Sequence, residues 1–174
     1  MAHFTTTIET DAPVAAVFRY VADFSNTQSW DPTVSRASRL TTGPLREGSR
    51  FEVFLPILGR ELRFEYRISD LQLDRRVVLE CEHDLVRSLD TIEFEPRRAN
   101  EEGCLVHYDA DLRPRGAAYL LDLPIHLAFQ ISGARSARGL ARELARLARS
   151  DVGAPPLPDR ASPQREVGWQ PGQM

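Results

Sequence analysis

The chain has 174 residues, of which 42% are hydrophobic and 27% charged, with a net charge of −3, and this size fits one globular domain plus a tail. All 22 basic residues are arginine, which excludes Schiff-base chemistry on a lysine side chain. The weakly acidic balance argues against general nucleic-acid binding.

The chain carries no strong signal for a metal, a cofactor or a membrane segment. Two cysteines and four histidines are scattered without the spacing of a zinc site, at Cys81, Cys104, His3, His83, His107 and His126. No phosphate-binding glycine loop or dinucleotide fingerprint is present, so no cofactor is predicted. No run of 18 apolar residues and no signal peptide are found. These observations predict a cytoplasmic protein.

The N-terminal segment predicts a strand followed by two short helices. Apolar or threonine side chains alternate from Phe4 to Ile8, as in a strand with one buried face. Asp11 then predicts a helix cap, with Pro13 in the first turn. The helix has an apolar stripe at Val14, Val17, Phe18 and Val21. A second short helix is predicted from Phe24 to Trp30.

Alternating side chains predict five strong strands and a weaker one over Val34 to Leu40. The predicted inward residues are Phe51, Val53, Leu55, Leu62, Phe64, Tyr66, Ile68, Val77, Leu79, Cys81, His83, Asp90, Ile92, Phe94, Val106, Tyr108, Ala110 and Leu112. One apolar and one polar face indicate an antiparallel sheet. Two-residue turns predict that Leu55 pairs with Leu62, and that Cys81 pairs with Asp90.

The C-terminal part predicts one long helix beginning near Pro124. Its apolar stripe comprises Leu127, Ile131, Ala134, Ala137, Leu140, Ala141, Leu144 and Leu147. A second face carries Arg135, Arg138, Arg142, Arg146 and Arg149. We interpret this arginine stripe as a solvated face rather than a membrane contact. Residues 1–149 are therefore expected to form one domain, and residues 150–174, rich in proline and glycine, a flexible tail.

This order of elements predicts an α+β fold in which a curved antiparallel sheet of about seven strands wraps around the long helix. A twisted sheet cannot lie flush along a straight helix, so a pocket is expected between them.

The chain resembles the polyketide cyclase/dehydrase and lipid-transport superfamily, which is related to START domains and Bet v 1-type proteins. The resemblance covers about residues 3–149 and rests on segments 11–18, 48–51, 58–60, 75–79, 90–96, 105–112 and 120–124, together with Trp30. It implies a helix-grip fold with a central cavity. It does not fix the function, because the superfamily includes cyclases, lipid carriers and hormone receptors.

His83, Asp90 and Tyr66 are the candidate catalytic residues. In the predicted register, His83 and Asp90 are diagonal neighbours on the concave face, within reach of one another. A carboxylate that orients an imidazole creates a general base for an aldol-type cyclisation or a dehydration. The alternative is that both side chains are merely solvated near the hairpin end.

A larger set of side chains is predicted to contact a ligand. They are Trp30, Phe51, Leu55, Leu58, Phe64, Tyr66, Leu79, Cys81, His83, Asp90, Ile92, Phe94, Tyr108, Leu123, Leu127 and Ile131. Tyr66 and Tyr108 either orient a ligand carbonyl or only pack in the core. Leu58 is a candidate gate at a hairpin tip, and Asp122 near His126 is interpreted as a helix cap.

The sequence thus predicts a protein that binds a small hydrophobic molecule, polyketide-like or lipid-like, as a carrier. The alternative is a cofactor-independent cyclase or dehydratase, and whether the chain is an enzyme stays open. Cyclases of this superfamily place an arginine in the cavity, whereas Arg63 and Arg67 are predicted to point outward. A third hypothesis gives the tail a protein partner. The oligomeric state stays open between monomer and homodimer.

Overall fold

The computed structural model describes residues 2–57, 59–98, 101–116 and 122–151, with side chains except at 98, 101, 102, 122–128 and 151. The predicted gate at Leu58 and the predicted tail beyond residue 151 lie outside these residues. The division between a domain over 1–149 and a tail therefore stays a prediction.

The described residues form an α+β fold with seven strands. The elements are β1 (Ala2–Thr10), α1 (Val14–Ala22), α2 (Thr27–Trp30), β2 (Arg36–Arg39), β3 (Arg50–Ile57), β4 (Arg60–Gln72), β5 (Arg76–Glu82), β6 (Val86–Arg98), β7 (Glu101–Pro114) and α3 (Asp122–Asp151). A 3₁₀ turn, Phe24–Asn26, joins α1 to α2. The strands pair in the order β1-β7-β6-β5-β4-β3-β2, all antiparallel. The helix-grip prediction is confirmed.

The register of one predicted hairpin is confirmed, and that of the other is wrong. Leu55 pairs with Leu62 across β3 and β4, as expected. Cys81, however, pairs with Ser88 and not with Asp90. The shift of two residues preserves the inward face, because side chains alternate with a period of two. It moves Asp90 deeper into the sheet, where it lies opposite Leu79.

The β5–β6 turn explains this shift. The backbone N–H of His83 donates to the carbonyl of Val86 at 2.9 Å, so Asp84 and Leu85 form the two-residue loop. The sequence pattern predicts this loop one residue further along the chain, at Leu85 and Val86. A two-residue hairpin turn fixes the register of both strands, and its displacement by one residue changes the pairing by two.

The first helix begins later than the sequence predicts. Val14 is its first residue and Pro13 occupies the cap position, with no side-chain cap. Asp11 does not cap the helix. Instead its carboxylate accepts a hydrogen bond from the Arg97 guanidinium of β6 at 2.7 Å.

The concave face of the sheet is divided into a filled half and an open half. In the filled half, large inward side chains such as Leu79 and Ile92 are fully buried. The ring of Phe18, from α1, meets Phe94 edge-on with centroids 5.3 Å apart. Leu144 of α3 closes the same core. Each such side chain stabilises the fold by about 1.5–3 kcal/mol through its burial.

The long helix lies directly against the end of α2 at Gly139. A methyl group at this position would lie 1.8 Å from the backbone carbonyl oxygen of Trp30. The missing side chain therefore permits contact between the helix and the end of α2. This contact holds the middle of α3 over the sheet.

The convex face of the sheet carries ion pairs between charged side chains of neighbouring strands. Arg63 contacts Glu52 at 2.9 Å, and Arg67 contacts Glu80 at 3.6 Å. These arginines point outward, as predicted. Because the pairs are largely exposed, each contributes about 0–1 kcal/mol to stability.

The outer face of α3 bears its exposed arginines, among them Arg135, Arg138 and Arg142. Arg146 pairs with Glu143 on the same helix. None of the helices in the described ranges is long and apolar enough to cross a membrane.

Candidate ligand cavity between the sheet and the last helix

The open half of the concave face encloses a cavity of about 490 Å³ beneath α3. Between Phe129 and Leu140, the residues of α3 that face the cavity are small, namely Ser132, Gly133, Ser136 and Ala137, and their short side chains leave this space unfilled. Ala110 plays the same role on the sheet side. A volume of this size lies within the range of small-molecule pockets, about 300–1,000 Å³.

Most of the cavity wall is aromatic or aliphatic. These lining residues are Phe4, Ile8, Phe24, Trp30, Val34, Val53, Leu55, Pro56, Ile57, Tyr66, Tyr108, Ala110, Leu112, Phe129, Ala137 and Leu140. Trp30 meets Tyr108 edge-on at 6.2 Å between ring centroids, and Phe24 meets Tyr66 at 4.9 Å. The wall therefore favours an apolar ligand with a flat ring or an extended chain.

A compact polar cluster lies within this apolar wall, centred on Asp90. The Tyr108 hydroxyl donates to one carboxylate oxygen of Asp90 at 3.0 Å. The Ser88 hydroxyl donates to the other oxygen, also at 3.0 Å. Only 6% of the Asp90 surface is exposed. Both carboxylate oxygens are thus bound by neutral hydroxyl groups rather than by a cation.

Strand register assembles the cluster from β4, β6 and β7. Asp90 lies opposite Ala110 on β7, so Tyr108 is its diagonal neighbour. Ser88 lies opposite Cys81, which in turn lies opposite Tyr66 on β4. Since the side chains of Cys81 and Ala110 are small, they leave room for the rings of Tyr66 and Tyr108 next to the carboxylate of Asp90.

Burial raises the pKa of Asp90 to about 6, from an ordinary value of 3.8, because the buried site disfavours the charged form. The hydrogen bonds from Tyr108 and Ser88 oppose this rise, while the negative charges of Asp31 and Asp109 add to it. Asp90 therefore changes protonation near neutral pH. A carboxyl group with such a pKa can accept or donate a proton under ordinary conditions.

Burial, together with the charge of Asp90, raises the pKa of Tyr66 and of Tyr108 well above the usual tyrosine value. Both phenols consequently stay protonated. Each offers the cavity an O–H group, and that of Tyr108 is held on Asp90.

A second carboxylate, Asp31, lines the cavity at the end of α2. Its Oδ1 accepts hydrogen bonds from the backbone N–H and the hydroxyl of Thr33, at 2.8 and 2.6 Å. These bonds fix the carboxylate in a turn. Because both donors are neutral, its negative charge is not compensated by them.

The structure brings five of the predicted ligand residues to the cavity wall: Trp30, Leu55, Tyr66, Asp90 and Tyr108. Six others lie in the closed core, away from that wall: Phe51, Phe64, Leu79, Cys81, Ile92 and Phe94. The latter share the inward face but lie where other side chains already fill the space. The side chains of Leu123, Leu127, Asp122 and His126 lie outside the described set.

The predicted pairing of His83 with Asp90 is wrong. With Asp90 opposite Leu79, His83 lies four residues further along the chain, just past the end of β5 and beyond the reach of the carboxylate. Its ring packs against Phe64, with centroids 4.7 Å apart, and its Nδ1 accepts a bond from the Leu85 N–H. His83 does not line the cavity, and this geometry gives it no contact with the acid.

We therefore expect His83→Ala to leave ligand binding in the cavity unchanged within about twofold. The loss of the ring contact with Phe64 should cost about 1 kcal/mol of stability. Urea unfolding and titration with a neutral probe, 2-naphthylmethanol, measure the two quantities. A loss of binding without unfolding would instead give His83 a role at the site.

The predicted apolar stripe of α3 is confirmed from Ala137 to Leu147 and is wrong at Ile131 and Ala134. Ile131, a predicted ligand residue, is 49% exposed, and Ala134 is also exposed. Phe129 lines the cavity in place of Ile131. The apolar face therefore continues towards the N-terminal end of α3 through Gly133 and Phe129, and it keeps the predicted Ala137, Leu140 and Leu144.

The sequence-based prediction missed several lining residues. They are Asp31, Ser88, Thr6, Thr27, Thr33, Phe129, Ser132, Gly133 and Ser136. One signal for them was present: small residues at 132, 133, 136 and 137 recur on one helix face. Small side chains on a helix face either allow a neighbouring element to pack closely or leave open space beside the helix, and both effects are seen on α3.

Among the residues that the structure describes, no group of three or more histidine, cysteine, aspartate or glutamate side chains could hold a metal ion.

Comparison with solved structures finds several proteins that share this fold. The Zhui aromatase/cyclase from Streptomyces sp. R1128 has a TM-score of 0.70 and 15% identity, covering 87% of this chain and 98% of its own. A protein from Thermus thermophilus has a TM-score of 0.66 and 17% identity, covering 82% and 96%. A START superfamily protein from Mycobacterium smegmatis has a TM-score of 0.55 and 15% identity, covering 78% and 97%. At such identities the likeness concerns the fold.

No match is found among curated proteins. The model of one family, described as polyketide cyclase / dehydrase and lipid transport, matches residues 1–149. With the seven-stranded sheet, the gripping helix and the cavity between them, this match shows that the chain belongs to the polyketide cyclase / dehydrase and lipid transport family.

Proposed function

We propose that the protein binds one small hydrophobic molecule in the cavity beneath α3 and carries it. The observation that supports this proposal is the cavity itself, about 490 Å³ with a mainly aromatic and aliphatic wall. Transfer of an apolar molecule from water to such a wall is favourable by roughly 25 cal/mol per Å² buried. The family also includes lipid-transport proteins in its description.

A substitution on α3 that fills the cavity with a side chain tests this proposal. Ala137→Phe adds a ring at a lining position, and Arg138→Phe adds the same ring at the neighbouring exposed position. Native mass spectrometry of freshly purified protein should show a one-to-one hydrophobic adduct in the wild type and in Arg138→Phe. The adduct should be absent from Ala137→Phe. An adduct that persists in Ala137→Phe would refute the cavity as the binding site.

A second candidate function is proton-transfer catalysis, as in a cyclase or dehydratase. It is favoured by one observation: a buried carboxyl group with a pKa of about 6 lies in the cavity and accepts a bond from Tyr108. In this scheme Asp90 removes a proton from carbon and Tyr108 holds the carboxylate in place. This assigns the base to Asp90 alone, without His83.

Kemp elimination of 5-nitrobenzisoxazole tests this second function, since a carboxylate in an apolar pocket accelerates it and the phenolate product is coloured. The rate should rise with pH, reach half its maximum near pH 6, and level off. Asp90→Asn should lower it by about 10²-fold. A rate that is independent of pH and unchanged in this variant would rule out catalysis by Asp90, and the carrier function would be the only proposal left.

A further inference from the structure

The cavity has a marked charge asymmetry, which bears on the chemistry of its ligand. Two carboxylates, Asp31 and Asp90, are on its wall, while none of the described lining residues is arginine or histidine. In a chain with 22 arginines, this absence from the described wall is a property of the site rather than of the composition. An anionic ligand would meet two negative groups and no described positive one.

The aromatic side chains reinforce this asymmetry. Tyr66 and Tyr108 lie near Asp90, and Phe24 and Trp30 pack against these two rings. The faces of aromatic rings carry partial negative charge and attract cations. Aromatic rings and carboxylates together form the type of surface that binds an ammonium group.

The desolvation of Asp90 has already taken place in the folded protein. Its carboxylate is 6% exposed and is bound by the hydroxyls of Ser88 and Tyr108. A ligand cation therefore has to lose only its own water to gain a charge-assisted bond, about twice as strong as a neutral one. This reduces the desolvation penalty that makes many buried ion pairs unfavourable.

We propose that the natural ligand is a hydrophobic amine, held by its protonated nitrogen at Asp90, with the charge of Asp31 adding to the attraction, and by its apolar part against Trp30 and Phe129. The proposal rests on the ligand-binding function proposed above and specifies the class of ligand. The polar end lies at the polar cluster of β4, β6 and β7 that is centred on Asp90. The apolar end extends beneath the small residues of α3.

Three probes of nearly equal shape test the proposal: 2-naphthylmethylamine, 2-naphthylmethanol and 2-naphthoate. Calorimetric titration at pH 7.5 should show the amine binding at least about tenfold more tightly than the alcohol. The carboxylate should bind about tenfold more weakly than the alcohol, because like charges meet in a low-dielectric site.

Asp90→Asn should reduce the ratio of amine affinity to alcohol affinity to about twofold. Asp31→Asn should lower this ratio in the same direction, which keeps the test informative if one variant fails to fold. Glu93→Gln is the control, because it removes a charge from the solvent face of the same strand.

The outcomes separate the two proposals. If the alcohol binds as tightly as the amine, the binding function stands and the amine assignment is wrong. If the carboxylate binds most tightly, the assignment is also wrong. If none of the three probes binds up to millimolar concentration, the ligand-binding function fails together with the assignment.

Discussion

Gly139→Ala is expected to destabilise the domain by about 2–4 kcal/mol, although alanine is intrinsically the better helix former. The added methyl group would lie 1.8 Å from the carbonyl oxygen of Trp30 and 2.9 Å from its carbonyl carbon. Both are backbone atoms at the end of α2, and they cannot rotate away. The helix would have to move off α2, and the cavity beneath it would change shape.

Urea unfolding followed by circular dichroism measures this loss. Gly133→Ala is the matched comparison on the same helix, since its methyl group would meet the ring of Phe4 at 2.6 Å. That obstacle is a side chain, which can shift, so we expect a loss of only about 1 kcal/mol. Equal stability of Gly139→Ala and wild type would show that α3 does not contact α2 in the described way.

Asp90 is expected to make the domain less stable at pH 8 than at pH 4, by about 2 kcal/mol relative to a variant that cannot ionise there. The folded pKa is about 6 and the ordinary value is 3.8, so between them the native state binds the proton that the unfolded state has released. Its contribution therefore falls as pH rises from 4 to 6. It stays low above pH 6, because folding then buries a charged carboxylate.

The comparison of wild type with Asp90→Asn isolates this contribution from other titrations. The stability of the variant relative to wild type should increase by about 2 kcal/mol between pH 4 and pH 8, measured by urea unfolding. Asp31 and Asp109 strengthen the effect by their charge. Glu93→Gln, on the solvent face of β6, serves as the control. A difference between Asp90→Asn and wild type that does not change with pH would show that Asp90 is not buried as described.

The fold was predictable because each strand alternates cleanly and only one helix is long enough to cover the sheet. Leu55 and Leu62 illustrate this: their inward parity and a tight turn leave one register that keeps the core buried. The β5–β6 turn was less certain, because shifts of two residues preserve parity. Pattern alone could not distinguish Cys81–Ser88 from Cys81–Asp90 pairing, and the predicted His83–Asp90 contact depended on that choice.

The site was only partly predictable for a related reason. An inward-facing residue lines the cavity only where the opposing layer leaves space, as at Tyr108, and enters the closed core where it does not, as at Ile92. That distinction depends on where α1 and α3 lie over the sheet. Asp31 could not be inferred from periodicity at all, since it lies in a turn after α2.

The most direct test of the central claim is a titration of ¹⁵N-labelled protein with 2-naphthylmethanol, followed by backbone NMR shifts. The account predicts saturable changes at Thr6, Ser88, Asp90, Tyr108 and Ser136, which surround the cavity, and their loss in Ala137→Phe. Shifts confined to the convex face of the sheet, or to the surface groove around Arg97 and Arg149, would contradict it.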